Sequence, residues 1–377
     1  MNADLVTLIH YGELSLKGRN RSLFEIELKQ NIEKAAGGTV KRFRGRFVLE
    51  GGQRDALSRV FGVAWYAEAF RVMKDIESIK KEVLKCIKTR LRNNSSFGVY
   101  VKRSDKEFPY TSMQIADRIG REISEKYGMK VDLVNPDLSI FIEVADEAYF
   151  YFDRKEGLRG FPVGVSGRVL SLLSGGIDSP VSSFLMMKRG CEVDFIHFHV
   201  FTDNAKIEST KISKLLRYFT AYRRPVRIHL APYYPFETAL LSNSNSRGYE
   251  LIIFRRFMAR VAEKVATDTG CGALVTGDSL GQVASQTIEN ITLLKSAVSI
   301  PVFQPLLTYD KQEIVDLAKY IGTYDMSIES YKDCCSIISS NPRTKANACR
   351  IVELEKSINI EGVVENTLNL LSVREIY

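Results

Sequence analysis

The 377-residue chain carries one tryptophan, four histidines and six cysteines, and it contains no Cys-x-x-Cys pair. So few cysteines at this length do not make a disulfide framework, and the missing pair argues against a sequence-encoded zinc or iron–sulfur site. Long apolar runs are missing too. The stretch Val193 to Val200 is interrupted by polar residues, and no apolar segment follows a basic start, so neither export nor membrane spanning is expected. A reducing cytoplasm is the natural setting. No repeat or low-complexity segment breaks the chain.

What is present is a hydrophobic fraction of 45%, enough to bury cores in two or three domains. The formal charge of +8 admits an anionic partner. It concentrates in Lys41-Arg42-Phe43-Arg44-Gly45-Arg46 and in Lys80, Lys81, Lys85, Lys88, Arg90 and Arg92. Either run alone reads as a solvated face. Both lie in the first half of the chain, away from the nucleotide motif described below, which favours an RNA footprint.

Patterning divides the chain in three. Residues 1–73 read β-α-β-β-α-β, with a helix from Asn20 to Ala36 closed by Gly37-Gly38, which is the ferredoxin-like order. Residues 74–160 hold helices Ile76 to Leu91 and Thr111 to Tyr127 and strands Phe97 to Lys102, Leu138 to Val144 and Ala148 to Asp153. The glycines and proline of 156–164 read as a linker. From 161 to 377, apolar strands at Val169–Leu173, Val193–Val200, Val226–Leu230 and Ala273–Thr276 alternate with helices, which implies a buried parallel sheet. The fold class expected is therefore mixed α/β and α+β, multidomain.

The sharpest motif is Leu172-Leu173-Ser174-Gly175-Gly176-Ile177-Asp178-Ser179-Pro180, after a strand and before a helix. Two glycines let the backbone approach a ligand, and Ser179-Pro180 reads as an N-cap followed by proline at the first helical position. Amides at a helix amino-terminus bind phosphate. Without the lysine of a P-loop, the loop suits a pyrophosphate leaving group. Downstream, Thr276-Gly277-Asp278 to Gln286 follows another strand, where open α/β sheets bind ligands.

Ser174–Pro180 resembles the PP-loop of the ATP pyrophosphatases. Together with Tyr11–Arg21, Thr276–Gln286 and Tyr331–Lys345, it is similar to the tRNA 4-thiouridine synthetase (tRNA uridine 4-sulfurtransferase) family along the whole chain. The resemblance implies a ferredoxin-like domain, a THUMP RNA-binding module over 74–160 (whose profile boundary could begin near 54), and a PP-loop domain over 161–377. It also implies ATP as substrate, with Leu172, Leu173, Ser174, Gly175, Gly176, Asp178, Ser179, His197, Phe198, Arg255, Gly277 and Gln286 at its site. Asp178 would orient the phosphates through Mg²⁺, and Lys311 would reach the α-phosphate. Plainer readings stay open: His197 as a core histidine, Arg255 as an ion-pair residue, Gly277 as a strand end and Lys311 as a solvated helix-start lysine. Lys17, Arg19, Arg44, Arg46, Lys102 and Arg103 are the RNA contacts this resemblance suggests.

Counted back from Pro342, the family's catalytic cysteine falls on Cys335, with Cys334 as its neighbour. Lys332, Arg343 or Lys345 would favour its thiolate. The remaining four cysteines read as structural. The implied chemistry adenylates uridine 8 of tRNA at its C4 oxygen and replaces that oxygen with persulfide sulfur. Longer members continue into a rhodanese domain bearing the persulfide cysteine, whereas this sequence ends at Tyr377. A separate persulfide donor, a cysteine desulfurase or a free-standing rhodanese, is therefore expected. The family is compatible with a homodimer and also feeds sulfur to thiamine synthesis. Rival readings are another PP-loop tRNA-modifying enzyme and a non-catalytic THUMP RNA-binding protein.

Overall fold

In the first strand the residues Leu8 and His10 are buried on one face and Ile9 and Tyr11 on the other. A strand buried on both sides belongs inside a sheet, and here it does. The computed structural model describes residues 4–90, 96–201, 203–241, 246–334, 338 and 342–377, and they form two compact units, Met1–Pro162 and Val163–Tyr377.

The first unit is built on a nine-stranded sheet. Its strands are β1 Asp4–Tyr11, β2 Thr39–Phe43, β3 Arg46–Glu50, β4 Val63–Val72, β5 Ser96–Arg103, β6 Lys130–Val131, β7 Leu138–Val144, β8 Ala148–Tyr151 and β9 Lys155–Glu156. They run β2-β3-β1-β4-β8-β7-β5-β6, with β9 against β4. The β2-β3-β1-β4 part is the ferredoxin-like order. β4 then pairs antiparallel with β8, Phe70 opposite Phe150, so one ladder continues from the ferredoxin-like strands into those of residues 96–151. Thr111 caps the helix Ser112–Tyr127 with a reciprocal capping box to Gln114, and Ile115, Ile119 and Ile123 of that helix pack on Phe97 and Ile140. The segment read as a linker is partly laddered: Arg159 N–H donates to Val63 O at 2.8 Å.

The basic run of β2 and β3 is split by the pleat. Arg44 lies in the exposed hairpin turn, while Arg46 points into the sheet and is 3% exposed. Its guanidinium meets Glu143 at 2.6 Å, and Glu143 also lies 3.1 Å from His10 Nε2 and accepts from the Tyr151 hydroxyl at 3.1 Å. Burial works against the Glu143 charge, but the hydrogen bond from His10 and the neighbouring cations hold its carboxyl below the usual range. Arg46 is thus a structural ion-pair residue, which corrects its expected place among the RNA contacts.

The second unit carries a six-stranded sheet ordered β14-β13-β10-β11-β12-β15. The strands are β10 Arg168–Leu172, β11 Glu192–His199, β12 Val226–Pro232, β13 Leu274–Val275, β14 Val302–Phe303 and β15 Ser372–Ile376. All pairings are parallel except that of β15, which lies antiparallel along β12. That edge strand was not expected from the sequence. No described helix is long and apolar enough to cross a membrane.

Arg46→Ala should destabilise the protein by roughly 3–5 kcal/mol, the cost of leaving a buried charge unpaired. Arg44→Ala, in the exposed turn, should leave stability unchanged. Urea unfolding checks both. Equal stability loss in the two variants contradicts the assignment.

Candidate active site

β10 lies between β11 and β13, so the chain leaves it to one side and returns on the other. At such a switch point, loops at the carboxyl ends of the strands diverge and leave a crevice. Ser174–Ser179 leaves β10 there, and Thr276–Asp278 leaves β13 beside it.

The loop folds on its own serines. Ser179 Oγ accepts the Ser174 N–H at 2.9 Å and lies 3.1 Å from Ser174 Oγ, which accepts the Gly176 N–H at 3.2 Å. The helix begins at Asp178, after an Ile177 that provides no side-chain cap. This corrects the expected N-cap. The Ser179 hydroxyl is held by the start of the loop, and Pro180 takes the third helical position, where a first-turn residue needs no amide. An amino-terminus without a side-chain cap presents its positive end to an anion. Small side chains let this helix, Asp178–Lys188, sit close to the sheet. Ser183 Oγ lies 2.8 Å from Ser171 Oγ, and Ser182 Oγ donates to Thr276 O at 2.9 Å.

Gly277 is where the two loops touch. A Cβ there would come within 2.9 Å of the Asp178 carbonyl carbon and of the Ser179 nitrogen. Both are backbone atoms and cannot swing aside. Next to it, Asp278 is a buried hub. Arg255 Nη2 grips both carboxylate oxygens at 2.6 and 2.7 Å, and Thr276 Oγ1, Gln304 Nε2 and Gln286 Nε2 donate at 2.7, 2.8 and 3.2 Å. Burial opposes the charge, yet Arg255 and these donors keep the carboxyl below its ordinary value. Arg255 and Gln286 therefore converge on Asp278. Neither Asp278 nor Gln304 was singled out by sequence reasoning, and an aspartate directly after the strand-end glycine was the available signal.

Asp178 is held from two sides. Lys311 Nζ donates to Oδ1 at 2.6 Å and Gln282 Nε2 to Oδ2 at 2.9 Å. Lys311 thus faces the loop, and Asp310 and Glu313 form the capping box expected around it. Gln282 was not foreseen.

His197 is buried. Its Nδ1 lies 2.7 Å from the Leu173 carbonyl and its Nε2 2.7 Å from the Tyr331 hydroxyl. A carbonyl only accepts, so Nδ1 carries the proton and Nε2 accepts from Tyr331. Burial pushes the imidazole pKa down to about 4, which keeps it neutral. Leu172 and Phe198 serve the core, and the Phe198 ring packs edge-on to Phe254 and Phe257. The Phe198 carbonyl accepts from Cys334 Sγ at 3.4 Å, and Cys334 is 1% exposed. Cys335 lies outside the described residues. Beyond it, Arg343 stacks over Tyr249 with its carbon 4.9 Å from the ring centroid, and Lys345 pairs with Glu289 at 3.4 Å. Of the other cysteines, Cys191 and Cys271 are buried, Cys86 is half-buried and Cys349 is exposed, so Cys349 departs from the expected structural role.

In the first unit, Arg44 lines an open recess with Arg21, Arg42, Glu25 and Asp146. Arg19 and Lys102 are exposed. Lys17 sits over the rings of Phe24 and Phe161 at 4.8 and 4.6 Å, and Arg103 donates to the carbonyls of Lys106 and Phe108 at 3.1 Å. These two side chains shape their own loops as well as offering charge.

Gly277→Ala should raise the KM for ATP at least about tenfold while the fold survives, because the new methyl displaces the first turn of the loop helix. Steady-state pyrophosphate release measures it. An unchanged KM removes the loop contact from the site.

Comparison with known proteins fits this geometry. A probable tRNA sulfurtransferase of Caldanaerobacter subterraneus subsp. tengcongensis is 39% identical over 373 residues, covering 96% of this chain and 97% of that protein. One of Coxiella burnetii is 38% identical over 389 residues, covering 98% and 99%. The crystal structure of a 4-thiouridine synthetase–RNA complex with bound ATP superposes with a TM-score of 0.89 at 35% identity, over 99% of this chain and 100% of that one. A ThiI ferredoxin-like domain is matched at residues 6–67, a THUMP domain at 73–153, and the family described as thiamine biosynthesis protein (ThiI) at 164–360. The chain belongs to the ThiI family of tRNA sulfurtransferases.

Proposed function

We propose that the protein uses ATP to adenylate the C4 oxygen of uridine 8 in tRNA and then replaces that oxygen with sulfur carried on Cys335. The observation that carries this reading is the meeting of the serine–glycine loop, Gly277 and the cysteine-bearing segment at one end of the parallel sheet. ATP would lay its phosphates along the loop and the first turn of the helix, whose amides stabilise developing negative charge. The uridine C4 oxygen attacks the α-phosphorus, and pyrophosphate leaves. The terminal sulfur of a Cys335 persulfide then attacks C4, AMP leaves, and a thiol reductant cleaves the remaining S–S bond to release 4-thiouridine.

Asp178 supplies a carboxylate beside the loop, and one or two carboxylates plus phosphate oxygens are the usual surroundings of Mg²⁺. It is the residue that would hold the ion, with Lys311, half-exposed, as the partner to be displaced. Bound there, Mg²⁺ would offset phosphate charge. Gln282 keeps the carboxylate turned toward the loop.

The basic residues of the first unit, Arg44 with its recess, Arg19 and Lys102, support tRNA as the macromolecular substrate. A persulfide donor such as a cysteine desulfurase or a separate rhodanese would recharge Cys335. Cys334 is turned inward against Phe198, which favours an external thiol over Cys334 for the reductive step.

Mass spectrometry of nucleosides from tRNA incubated with protein, ATP and a persulfide donor should show 4-thiouridine. Its absence with active components rejects the reading. Asp178→Asn should cut pyrophosphate release by about 10²-fold, and a parental rate removes Asp178 from the chemistry. Cys335→Ser should still release pyrophosphate yet make little 4-thiouridine from persulfide, with partial rescue by free sulfide. Normal persulfide-dependent thiolation by this variant ends the carrier assignment.

A further inference from the structure

The segment Ser327–Cys334, which runs up to Cys335, is anchored to the helix Lys211–Phe219, to β11 and, through Tyr331, to the nucleotide loop. Lys211, 7% exposed on the helix Lys211–Phe219, donates from Nζ to the carbonyls of Ser327 and Glu329 at 2.7 Å each. Cys334 Sγ donates to the Phe198 carbonyl. Between these anchors, Tyr331 reaches the loop twice. Its ring covers Gly175 so closely that a Cβ on Gly175 would fall 2.8 Å from Tyr331 Cδ1 and 2.9 Å from Lys211 Cε. Its hydroxyl donates to His197 Nε2, and His197 Nδ1 donates to the carbonyl of Leu173, the residue that precedes the loop.

We propose that Tyr331 is a positioning residue that transmits the placement of the phosphate loop to the sulfur-bearing segment and so decides whether sulfur or water consumes the adenylated uridine. This rests on the function proposed above. Adenylation makes C4 electrophilic toward any nucleophile. Water attack at C4 expels AMP and restores the uridine carbonyl, so ATP is spent and no sulfur enters. Persulfide attack expels the same AMP but forms a C–S bond. The two outcomes differ only in which nucleophile is aligned, and a misplacement of about 1 Å costs on the order of 10²-fold in rate. Tyr331 is four residues from Cys335 in sequence and bears on both ends of the loop's opening, Leu173 and Gly175. The order of steps demands this linkage: sulfur must be in place once pyrophosphate leaves. His197 fits the task because a neutral, fully buried imidazole with one donor and one acceptor joins two groups without adding charge beside the phosphates.

Tyr331→Phe retains the ring over Gly175 and removes the hydroxyl. Thermal melting should move by no more than a few degrees, and the KM for ATP and the rate of tRNA-dependent pyrophosphate release should stay within about twofold of the parent. The rate of 4-thiouridine formation from a persulfide donor should fall about tenfold, so that about ten pyrophosphates are released per 4-thiouridine, against about one in the parent. Lys211→Met, which keeps the Tyr331 hydroxyl but removes both carbonyl anchors of the same segment and the ammonium 5.9 Å from the Tyr331 ring centroid, should raise the ratio in the same direction. A purely structural tyrosine would lower both rates together and leave the ratio at the parental value, and that result in both variants overturns the proposal. A raised KM for ATP with an unchanged ratio also overturns it, placing Tyr331 in nucleotide binding alone. If the parent releases pyrophosphate but forms no 4-thiouridine, the proposed function has failed, which the parent's own reaction reveals before any variant is compared.

Discussion

The missing side chain of Gly277 lets the end of β13 press on the first turn of the loop helix with no atom between the two backbones. Most of the candidate site hangs on that contact. It sets how far the helix amino-terminus projects beyond the sheet, hence where an anion meets its amides. The packing is reinforced from the helix side by serines: Ser182 bonds the Thr276 carbonyl and Ser183 the Ser171 hydroxyl. Bulkier side chains at these positions would hold the helix further off and open the contact at Gly277.

Charge is organised around the same contact in two layers. Asp278 is buried and fully engaged by Arg255, Thr276, Gln286 and Gln304, so its charge is neutralised inside the protein and contributes order to the strand-end loop. Asp178, one helical turn's start away, is less enclosed, and its principal partner Lys311 is about half-exposed. The two carboxylates therefore play different parts. One is locked by Arg255, whose Nη2 reaches both carboxylate oxygens while Nη1 holds the Ser285 carbonyl. The other is paired with a flexible, half-exposed ammonium that exchanges partners at low cost, which suits the place beside the phosphates proposed for it.

Element order and the nucleotide loop were legible in the sequence because they rest on local signals: apolar periodicity, glycine punctuation and a strand–loop–helix succession. What was not legible depends on distant partners. β15 reads Ser-Val-Arg-Glu-Ile, a half-exposed edge strand whose place beside β12 is set by tertiary pairing. Arg46 and Arg44 look alike in a basic run, and only the β3 pleat turns Arg46 toward Glu143. The Asp278 hub gathers Arg255, the Thr276–Gln286 stretch and Gln304, and beyond an aspartate after a strand-end glycine no spacing rule announces these partners. The N-cap at Ser179 failed for a related reason. A serine before proline is a sound local signal, but its hydroxyl had a nearer competitor in the Ser174 amide.

The histidine at 197 shows how a residue with an ordinary structural reading acquires a functional one without changing its surroundings. It is a buried core histidine by every physical measure: neutral, hydrogen-bonded on both nitrogens and packed within the sheet. Yet its two partners are the carbonyl preceding the serine–glycine loop and Tyr331, four residues before Cys335. Placing the bridge in the core, on a β-strand rather than on a loop, gives it the stiffness to relay displacements of less than an ångström. The chemistry proposed here needs that stiffness, because activation and sulfur transfer act on one carbon atom in succession and the second must follow before water intervenes.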